Sequence, residues 1–290
     1  MIIIKIMGGL GNQMFQYALA RSIIEKGKKV KIDTTYYNNI PALDTNRKYE
    51  LDLFPYSFEF ATSREIKRYT SKLNYLKNIV GEYTHLYRSN IIVDREYEYN
   101  NNLVNCDNKY LVGYWQCERY FSDIRSILVD EFSFDNRALD EEDINLKNEI
   151  KLAKCPIAIH VRAGDYYNRQ NIDAFGNICT CQYYGDACKY FANKYEDIQF
   201  FLFTDDRRWV EKNLNLNKYN IKIVREKKIS EAWKDLYCMS LCDHNIISNS
   251  SFSWWSAWLN TNTHKEVISP TKWRKGIDAK KVIPSGWICI

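Results

Sequence analysis

Short apolar runs alternate along the chain with longer segments in which apolar residues recur at helical spacing. The run 2–7 predicts a buried strand, and the segment 12–25, which follows a glycine turn, predicts a helix. The same pairing recurs in the second half, where the run 157–161 begins just after Pro156, a position at which a strand tolerates proline. This alternation predicts an α/β protein with parallel sheets.

The same two periodicities predict the remaining elements. Further strands are predicted at 29–33, 110–115, 200–204, 221–224, 245–248 and 267–269. Further helices are predicted at 118–129, 182–195, 207–214, 230–241 with Ser230 as its N-cap, and 251–259. Ligands of doubly wound sheets bind beyond the carboxyl ends of the strands, so candidate binding residues are those that follow a strand.

A polar, acidic stretch at 130–153 separates the two sets of elements. Its cluster Asp140-Glu141-Glu142-Asp143 suits a helix N-terminus, where the helix dipole favours carboxylates, so we assign it no catalytic role. A chain of 290 residues is near the size at which one core stops growing. We therefore predict two Rossmann-like, doubly wound domains that face each other across a cleft, at residues 1–150 and 151–290.

Composition narrows the class of protein. Hydrophobic residues make up 46% of the chain and charged residues 27%, which is typical of a globular protein rather than a disordered one. The 22 tyrosines suit sugar faces and nucleobases, but they also fill cores. A net charge of +5 is mild and unclustered, so no nucleic-acid partner is predicted. The basic stretch 63–78 is interpreted as a solvated face, with peripheral membrane contact left open.

The cysteines and the opening residues bear on location. The nine cysteines include no Cys-x-x-Cys pair, and the cluster Cys179, Cys181 and Cys188 cannot supply four local zinc ligands. Reduced thiols of a cytosolic protein fit better. The apolar run at the start is too short for a signal-peptide core or a membrane span. We predict a cytoplasmic protein, with contact at the inner face of the membrane left open.

The first candidate site is the glycine loop, Gly8-Gly9-Leu10-Gly11-Asn12-Gln13, between a strand and a helix. Glycines let backbone N–H groups approach a ligand, and a helix N-terminus favours negative charge. Met14 stands where the dinucleotide fingerprint has its third glycine, and no Gly-Lys-Ser/Thr follows as in a P-loop. A tight turn alone would explain the glycines equally well.

The second candidate is the His-x-Arg segment, His160-Val161-Arg162-Ala163-Gly164-Asp165, at a strand end. Side chains two residues apart on a strand point to one side, so His160 and Arg162 should converge on one ligand. A planar guanidinium matches phosphate oxygens bidentately and stays charged. The structural alternative is an ion pair between Arg162 and Asp165 with a hydrogen-bonded His160.

The third candidate is the serine loop, Ser248-Asn249-Ser250-Ser251-Phe252, where an apolar strand gives way to an aromatic helix. Either Ser250 or Ser251 can cap that helix, and the amides beyond the cap form an anion site. A plain N-cap is the alternative for one serine. The tryptophans that follow recur at helical spacing and are assigned to the core; they are Trp254, Trp255 and Trp258.

Carboxylates complete the candidate site. Asp235 could accept two N–H bonds from a guanine edge, although a solvent-facing helical aspartate is the simpler reading. Asp205 and Asp206 are adjacent, so they should point to opposite sides of the chain and make a poor metal pair. No Asp-x-Asp triplet occurs in the sequence. No metal is therefore expected, and the charge of a leaving group falls to Arg162 and helix-end amides.

Together these motifs resemble the α-1,2-fucosyltransferase family of bacterial surface-glycan enzymes. The stretches that carry the resemblance are 8–18, 113–116, 160–166, 203–206 and 248–255. The resemblance implies a GT-B-like, metal-independent glycosyltransferase that moves L-fucose, with inversion, from GDP-β-L-fucose to the 2-hydroxyl of a terminal galactose. The donor would be a substrate and no cofactor is implied.

The resemblance also implies roles for residues of the three loops. By similarity, Arg162 and His160 contact the diphosphate, and Asp235 contacts the guanine. Ser250, Ser251 and Phe252 would hold the phosphate and the base. The first domain would face the donor through Gly9, Leu10, Gly11 and Asn12. The family often has a second arginine where this chain has Ala163, and Arg21 or Arg207 could replace that cation.

The expected reaction is a single displacement in which Arg162 and the amides of residues 250–252 stabilise departing GDP. Asp165 is the first candidate for the general base, but it could instead orient Arg162. The acceptor, a galactose-terminated oligosaccharide or lipid-linked glycan, is expected on the N-terminal half. Two alternatives remain, namely another nucleotide-sugar transferase or fucosyl linkage, and a non-catalytic carbohydrate-binding protein.

Overall fold

The computed structural model describes residues 1–41, 46–71, 90–94, 97–134, 138–169, 171–215, 217–226, 228 and 231–290. The chain divides into two compact units, Met1–Ser133 and Phe134–Ile290. The predicted boundary at residue 150 is displaced, because Leu146 and Ile150 of the helix Glu141–Leu152 pack into the core of the second unit. The cleft between the units stays a prediction.

The first unit is built on a four-stranded sheet. Its strands are β1 (Ile2–Lys5), β2 (Val30–Asp33), β3 (Ile91–Val93) and β4 (Tyr110–Val112). Their order is β2-β1-β4-β3, and every neighbouring pair is parallel, as predicted for this half. The sequence pattern did not predict β3. Because β1 and β4 are adjacent and parallel, the glycine loop and the segment 113–116 leave the sheet at the same edge.

The α-helices of the first unit are Leu10–Glu25, Ser63–Thr70 and Arg125–Glu131. The predicted helix 118–129 is wrong in its first half, where two short 3-10 turns, Glu118–Tyr120 and Ser122–Ile124, replace it. The interruption is Phe121, whose φ of −144° is not helical and whose ring is fully buried beside Phe15. Burial of this ring outweighs the local helical pattern.

The second unit is built on a six-stranded sheet. Its strands are β5 (Cys155–Val161), β6 (Ile198–Thr204), β7 (Ile221–Ile223), β8 (His244–Ile246), β9 (Val267–Ser269) and β12 (Ile288–Cys289). Between β9 and β12, the strands β10 (Lys272–Arg274) and β11 (Ile277–Asp278) form a separate antiparallel pair. The order is β12-β9-β8-β5-β6-β7, all parallel. The predicted α/β class is thus confirmed in both units, although β10–β12 were missed.

The direction in which successive strands are added to this second sheet reverses at its centre. From β5 it adds β6 and β7 on one side, and it then returns to place β8 on the other side of β5. Such a switch point leaves a crevice outside the carboxyl ends of its two strands, which is where ligands of doubly wound sheets bind. The His-x-Arg segment begins with the last two residues of β5, and the serine loop follows β8.

The α-helices of the second unit are Glu141–Leu152, Ile172–Phe175, Cys181–Lys194, Arg207–Asn213, Ala232–Ser240 and Ser251–Leu259. The three tryptophans of the last helix are at most 1% exposed, so their assignment to the core is confirmed. Ser230, predicted as an N-cap, lies outside the described residues.

Three further predictions concern a membrane span, the state of the cysteines and the exposure of the basic stretch 63–78. Within the described residues, no helix is long and apolar enough to cross a membrane. The nine cysteines are all free. In the described part of the basic stretch, Arg64, Lys67 and Arg68 are exposed, whereas Lys72 and Lys77 lie outside the described residues.

Candidate functional site

Two polar side chains meet at the switch point of the second sheet. His160, near the end of β5, places Nδ1 2.8 Å from the Oγ of Ser248, which follows β8. Both residues are buried, and the Phe252 ring lies beside the imidazole with centroids 5.5 Å apart. Burial, together with the nearby charge of Arg162, lowers the pKa of His160 despite the opposing charge of Asp205, so the ring is neutral.

The guanidinium of Arg162 is held between two carboxylates. Its Nη2 lies 2.7 Å from Oδ1 of Asp165, and its Nη1 lies 2.8 Å from Oδ2 of Asp205. The predicted structural alternative, an Arg162–Asp165 ion pair, is therefore present, and Asp205 adds a second pair. Burial opposes the charge, but Asp205 and Asp165 keep the pKa of Arg162 above its usual value. Since a guanidinium has five N–H donors, the two contacts leave donors for a ligand.

Asp205 also organises the backbone of the His-x-Arg segment. Its Oδ1 accepts hydrogen bonds from the N–H groups of Ala163 and Gly164, at 2.8 and 3.1 Å. Burial raises the pKa of Asp205, but Arg162 and these two N–H groups outweigh it and hold that pKa below its usual value. A Cβ on Gly164 would lie 2.8 Å from Oδ2 of Asp205, so this close approach requires glycine.

The position that often carries a second arginine is closed here to a long side chain. Ala163 is 1% exposed and belongs to the core of the second unit. The two suggested replacements are already engaged, since Arg21 pairs with Glu25 and Glu131 and Arg207 pairs with Glu211. Neither contact involves the His-x-Arg segment.

Several hydrogen bonds hold the serine loop in place. Ser250 is the N-cap of the helix Ser251–Leu259, and its Oγ accepts the N–H of Phe252 at 3.3 Å, as predicted. The hydroxyl of Tyr166 donates to the carbonyl of Asn249 at 2.9 Å. The Asn249 amide in turn donates to the carbonyl of Trp273 at 3.1 Å. The helix-end amides are therefore presented from a fixed loop beside His160.

Asp235 lies in the first turn of the helix Ala232–Ser240 and is partly buried. The helix Ala232–Ser240 contacts the helix that Ser250 caps. In that contact the Oγ of Ser256 lies 3.9 Å from the Sδ of Met239. The preceding residue, Lys234, fixes the start of the helix because its ammonium lies 2.7 Å from the buried carboxylate of Asp143. The role of Asp235 with guanine stays a prediction.

Asp205 is the main residue that the sequence failed to assign. The pairing of β5 with β6 sets Val161 against Thr204, which brings the next residues of both strands together. Asp206 turns away and caps the helix Arg207–Asn213 by accepting the N–H of Trp209 at 2.9 Å. The predicted divergence of the two carboxylates is confirmed. Among the described residues no group of three or more metal-ligating side chains occurs, and metal-independent transfer stays a prediction.

In the first unit, the glycine loop combines a strained turn with an open helix end. Gly8 has a φ of +81°, and a Cβ there would lie 2.7 Å from Nδ2 of Asn12. Gly9 is the N-cap of Leu10–Glu25 and provides no side-chain cap. Leu10 and Gly11 are buried, whereas Gly9 and Asn12 are partly exposed. The tight-turn interpretation thus holds for Gly8, and donor contacts from this loop stay a prediction.

Two buried glutamines, to which the sequence analysis assigned no role of their own, hold this loop. Gln13 donates to the carbonyls of Gly8 and Lys48, at 3.0 and 2.8 Å, and accepts the N–H of Glu50 at 2.8 Å. Gln16 accepts the N–H of Met7 at 3.0 Å and donates to the carbonyl of Gly113 at 2.9 Å. These side chains join the glycine loop to the neighbouring backbone segments.

The sequence is similar to known glycosyltransferases over its whole length. Residues 1–290 match the model described as glycosyl transferase family 11. The chain is 31% identical to the O-antigen biosynthesis glycosyltransferase WbnK of Escherichia coli, with 97% of each chain covered. It is 28% identical to an α-1,2-colitosyltransferase of Escherichia coli, covering 100% of this chain and 98% of that one. A galactoside α-(1,2)-fucosyltransferase 1 of Saimiri boliviensis boliviensis is 23% identical over 48% of this chain and 40% of its own length.

Proposed function

Because the chain belongs to glycosyl transferase family 11, we propose that it transfers L-fucose from GDP-β-L-fucose to the 2-hydroxyl of a terminal galactose. The product is an α-1,2 linkage formed with inversion and without a metal ion. Support for the linkage and the sugar comes from relatives named as α-1,2-colitosyl and α-(1,2)-fucosyl transferases. The full-length relative named for O-antigen biosynthesis supports a surface-glycan acceptor, free or carried on a lipid at the inner face of the membrane.

The observation that carries the proposal is the meeting of Arg162, His160 and the serine loop at a topological switch point. Charge develops on the diphosphate as the bond to fucose breaks. The free donors of Arg162 and the helix-end amides of residues 250–252 stabilise that charge, and one such donor is typically worth about 3 kcal/mol. Rigid placement matters because donors fixed in advance need no reorganisation during the reaction.

Asp165 orients Arg162 in this proposal and does not serve as the base. Its carboxylate lies 2.7 Å from the guanidinium, and proton transfer from an acceptor hydroxyl would have to compete with that ion pair. An Asp165→Asn variant tests the assignment. With an orienting role, the variant loses activity about equally at every pH, whereas loss of a general base would remove the acidic limb of the pH–rate profile.

A second donor is supported by one specific observation. The colitosyl relative matches the whole chain, and colitose is L-fucose without its 3-hydroxyl. A site that hydrogen-bonds this hydroxyl would reject colitose strongly, whereas a site without such a partner would accept both sugars. The ratio of kcat/KM for the two donors therefore decides between fucosyl and colitosyl transfer.

The experiment that tests the proposal is a donor and acceptor panel. Release of the nucleoside diphosphate is measured, as GDP from GDP-fucose and the colitose donor and as UDP from UDP-sugars, each with lactose or lacto-N-biose. The product linkage is determined by NMR. The proposal predicts GDP release that depends on a β-galactoside and a product substituted at its 2-hydroxyl. Glycan binding without GDP binding, and with no consumption of GDP-fucose, would instead establish a carbohydrate-binding protein.

A further inference from the structure

The imidazole of His160 contacts one hydroxyl group through one of its two nitrogens. Nδ1 lies 2.8 Å from Oγ of Ser248, and within the described ranges this is the hydrogen bond of the ring. Nε2 is therefore left for a ligand. Which nitrogen carries the proton decides whether Nε2 offers that ligand a donor or a lone pair.

The hydroxyl hydrogen of Ser248 is best placed on the bond to His160. Donation to Nδ1 gives an ordinary length of 2.8 Å. If Nδ1–H were the donor, the Ser248 hydrogen would turn to Oγ of Ser253 at 3.4 Å, outside the usual O–H···O range of about 2.5–3.0 Å. Ser253 has carbonyl acceptors of its own at Ser250 and Ser248. The 2.8 Å length suits either donor, and it is the long alternative at Ser253 that favours Ser248 as the donor.

The surroundings hold the ring in this orientation. Tyr184 donates its hydroxyl hydrogen to the backbone carbonyl of His160 at 3.2 Å, and Phe252 packs beside the imidazole. His160 lies in β5 and Arg162 follows that strand, two residues further on, so side-chain alternation predicts that their donors point to the same side of the sheet. Burial keeps the imidazole neutral by lowering its pKa, so only one nitrogen is protonated.

We propose that Ser248 is a positioning residue that holds His160 as the Nε2–H tautomer, so that Nε2 donates to an anionic oxygen of the donor's diphosphate. The opposite tautomer would direct a lone pair at that oxygen and repel it. The identity of the anion rests on the proposed function, whereas the tautomer does not depend on it.

The tautomer is measured by NMR of protein labelled with ¹⁵N-histidine. His244 is an internal reference, because its Nδ1 accepts the N–H of Glu266 at 3.0 Å, and a backbone N–H cannot act as an acceptor. His160→Gln and His244→Gln variants assign the signals. We expect His160, like His244, to show a protonated Nε2 and an unprotonated Nδ1 without any ligand. A protonated Nδ1 on His160 would overturn the proposal.

Two serine variants separate positioning from general packing. Ser248→Ala removes the donor, and we expect a mixture of His160 tautomers and about a tenfold loss of affinity for GDP. Ser253 is buried beside Ser248, with the two Oγ atoms 3.4 Å apart, and the ring is hydrogen-bonded to Ser248. The Ser253→Ala variant should therefore keep the wild-type tautomer of His160 and the wild-type affinity for GDP. Equal effects of both variants would contradict a specific role of Ser248. If Ser248→Ala fails to fold, the wild-type and Ser253→Ala spectra still decide the tautomer.

Titration with GDP tests the ligand-facing role. We expect the Nε2–H signal of His160 to shift in parallel with binding measured by calorimetry. If GDP binds and this signal stays unchanged, Nε2 does not face the diphosphate and the proposal is wrong. If GDP does not bind at all, the proposed function fails, while the tautomer still stands or falls on the ligand-free spectrum.

Discussion

Arg162 and Asp205 stand at the ends of two adjacent parallel strands and form an ion pair of 2.8 Å. The same carboxylate accepts the backbone N–H groups of Ala163 and Gly164. Asp205 thus fixes both the direction of the guanidinium and the path of the chain that leaves β5. The candidate anion site is built by a residue after the neighbouring strand β6 as much as by the His-x-Arg segment itself.

Loss of the Asp205 carboxylate should destabilise the second unit. Asp205→Ala leaves Arg162 with one ion pair and removes the acceptor of the partly buried Ala163 N–H, so we expect a loss of about 2–3 kcal/mol in the free energy of unfolding. Urea titration measures it. The matched control is Asp206→Ala, which removes only a helix cap and should cost about 1 kcal/mol. Equal losses in the two variants would contradict the role given to Asp205.

A methyl group on Gly164 should disturb the site by displacing Asp205. In Gly164→Ala the new Cβ would lie 2.8 Å from the carboxylate oxygen, too close to be tolerated without a shift. We expect the affinity for GDP, measured by calorimetry, to fall about tenfold. Gly185→Ala is the control, since nothing lies within 4 Å of its Cβ and the helix should gain about 0.5–1 kcal/mol. Unchanged GDP affinity in Gly164→Ala would contradict this account.

Buried His160 should make the protein sensitive to mild acid. Its pKa is lowered in the folded state, so the unfolded chain takes up the proton first as the pH falls through about 6.5. Stability should then decrease by up to about 1.4 kcal/mol per pH unit for this residue. His160→Gln should flatten the dependence of unfolding free energy on pH between 6.5 and 5. His244 contributes a remaining slope, because burial lowers its pKa as well.

The glutamines of the glycine loop should be structural. Gln16→Ala removes the partner of the partly buried Met7 N–H and the partner of the buried Gly113 carbonyl. We expect a loss of about 2–3 kcal/mol in unfolding free energy. Exposed Gln182→Ala should change it by less than about 0.5 kcal/mol. A Gln16→Ala protein as stable as the wild type would show that these bonds are replaced at no cost.

Sequence reasoning identified candidate residues where their chemistry is carried by consecutive positions. His160 lies near the end of a strand, and Arg162 and Ser250 follow strands. The alternation of elements identifies those strands without knowledge of their neighbours. Asp205 was missed as a partner because its role depends on β6 lying beside β5, and strand order is not encoded locally. Gln16 was missed for the same reason, since Gly113 lies 97 residues away.

The errors in element boundaries have a similar origin. Phe121 interrupts a helical pattern because its ring is buried against Phe15, more than 100 residues earlier in the chain. The helix Glu141–Leu152 belongs to the second unit because Leu146 and Ile150 pack against its sheet. Tertiary packing decides both cases, and local propensity does not contain it.

The most direct test of the central claim is GDP binding and turnover by Arg162 variants. We predict that Arg162→Ala binds GDP at least about tenfold more weakly and lowers turnover of GDP-fucose about a hundredfold. Arg162→Lys keeps the charge without the planar fork, and it should fall between Arg162→Ala and the wild type. The control is Arg207→Ala, which changes a half-exposed arginine of the same unit. An Arg162→Ala protein that binds GDP and turns over like the wild type would contradict the account.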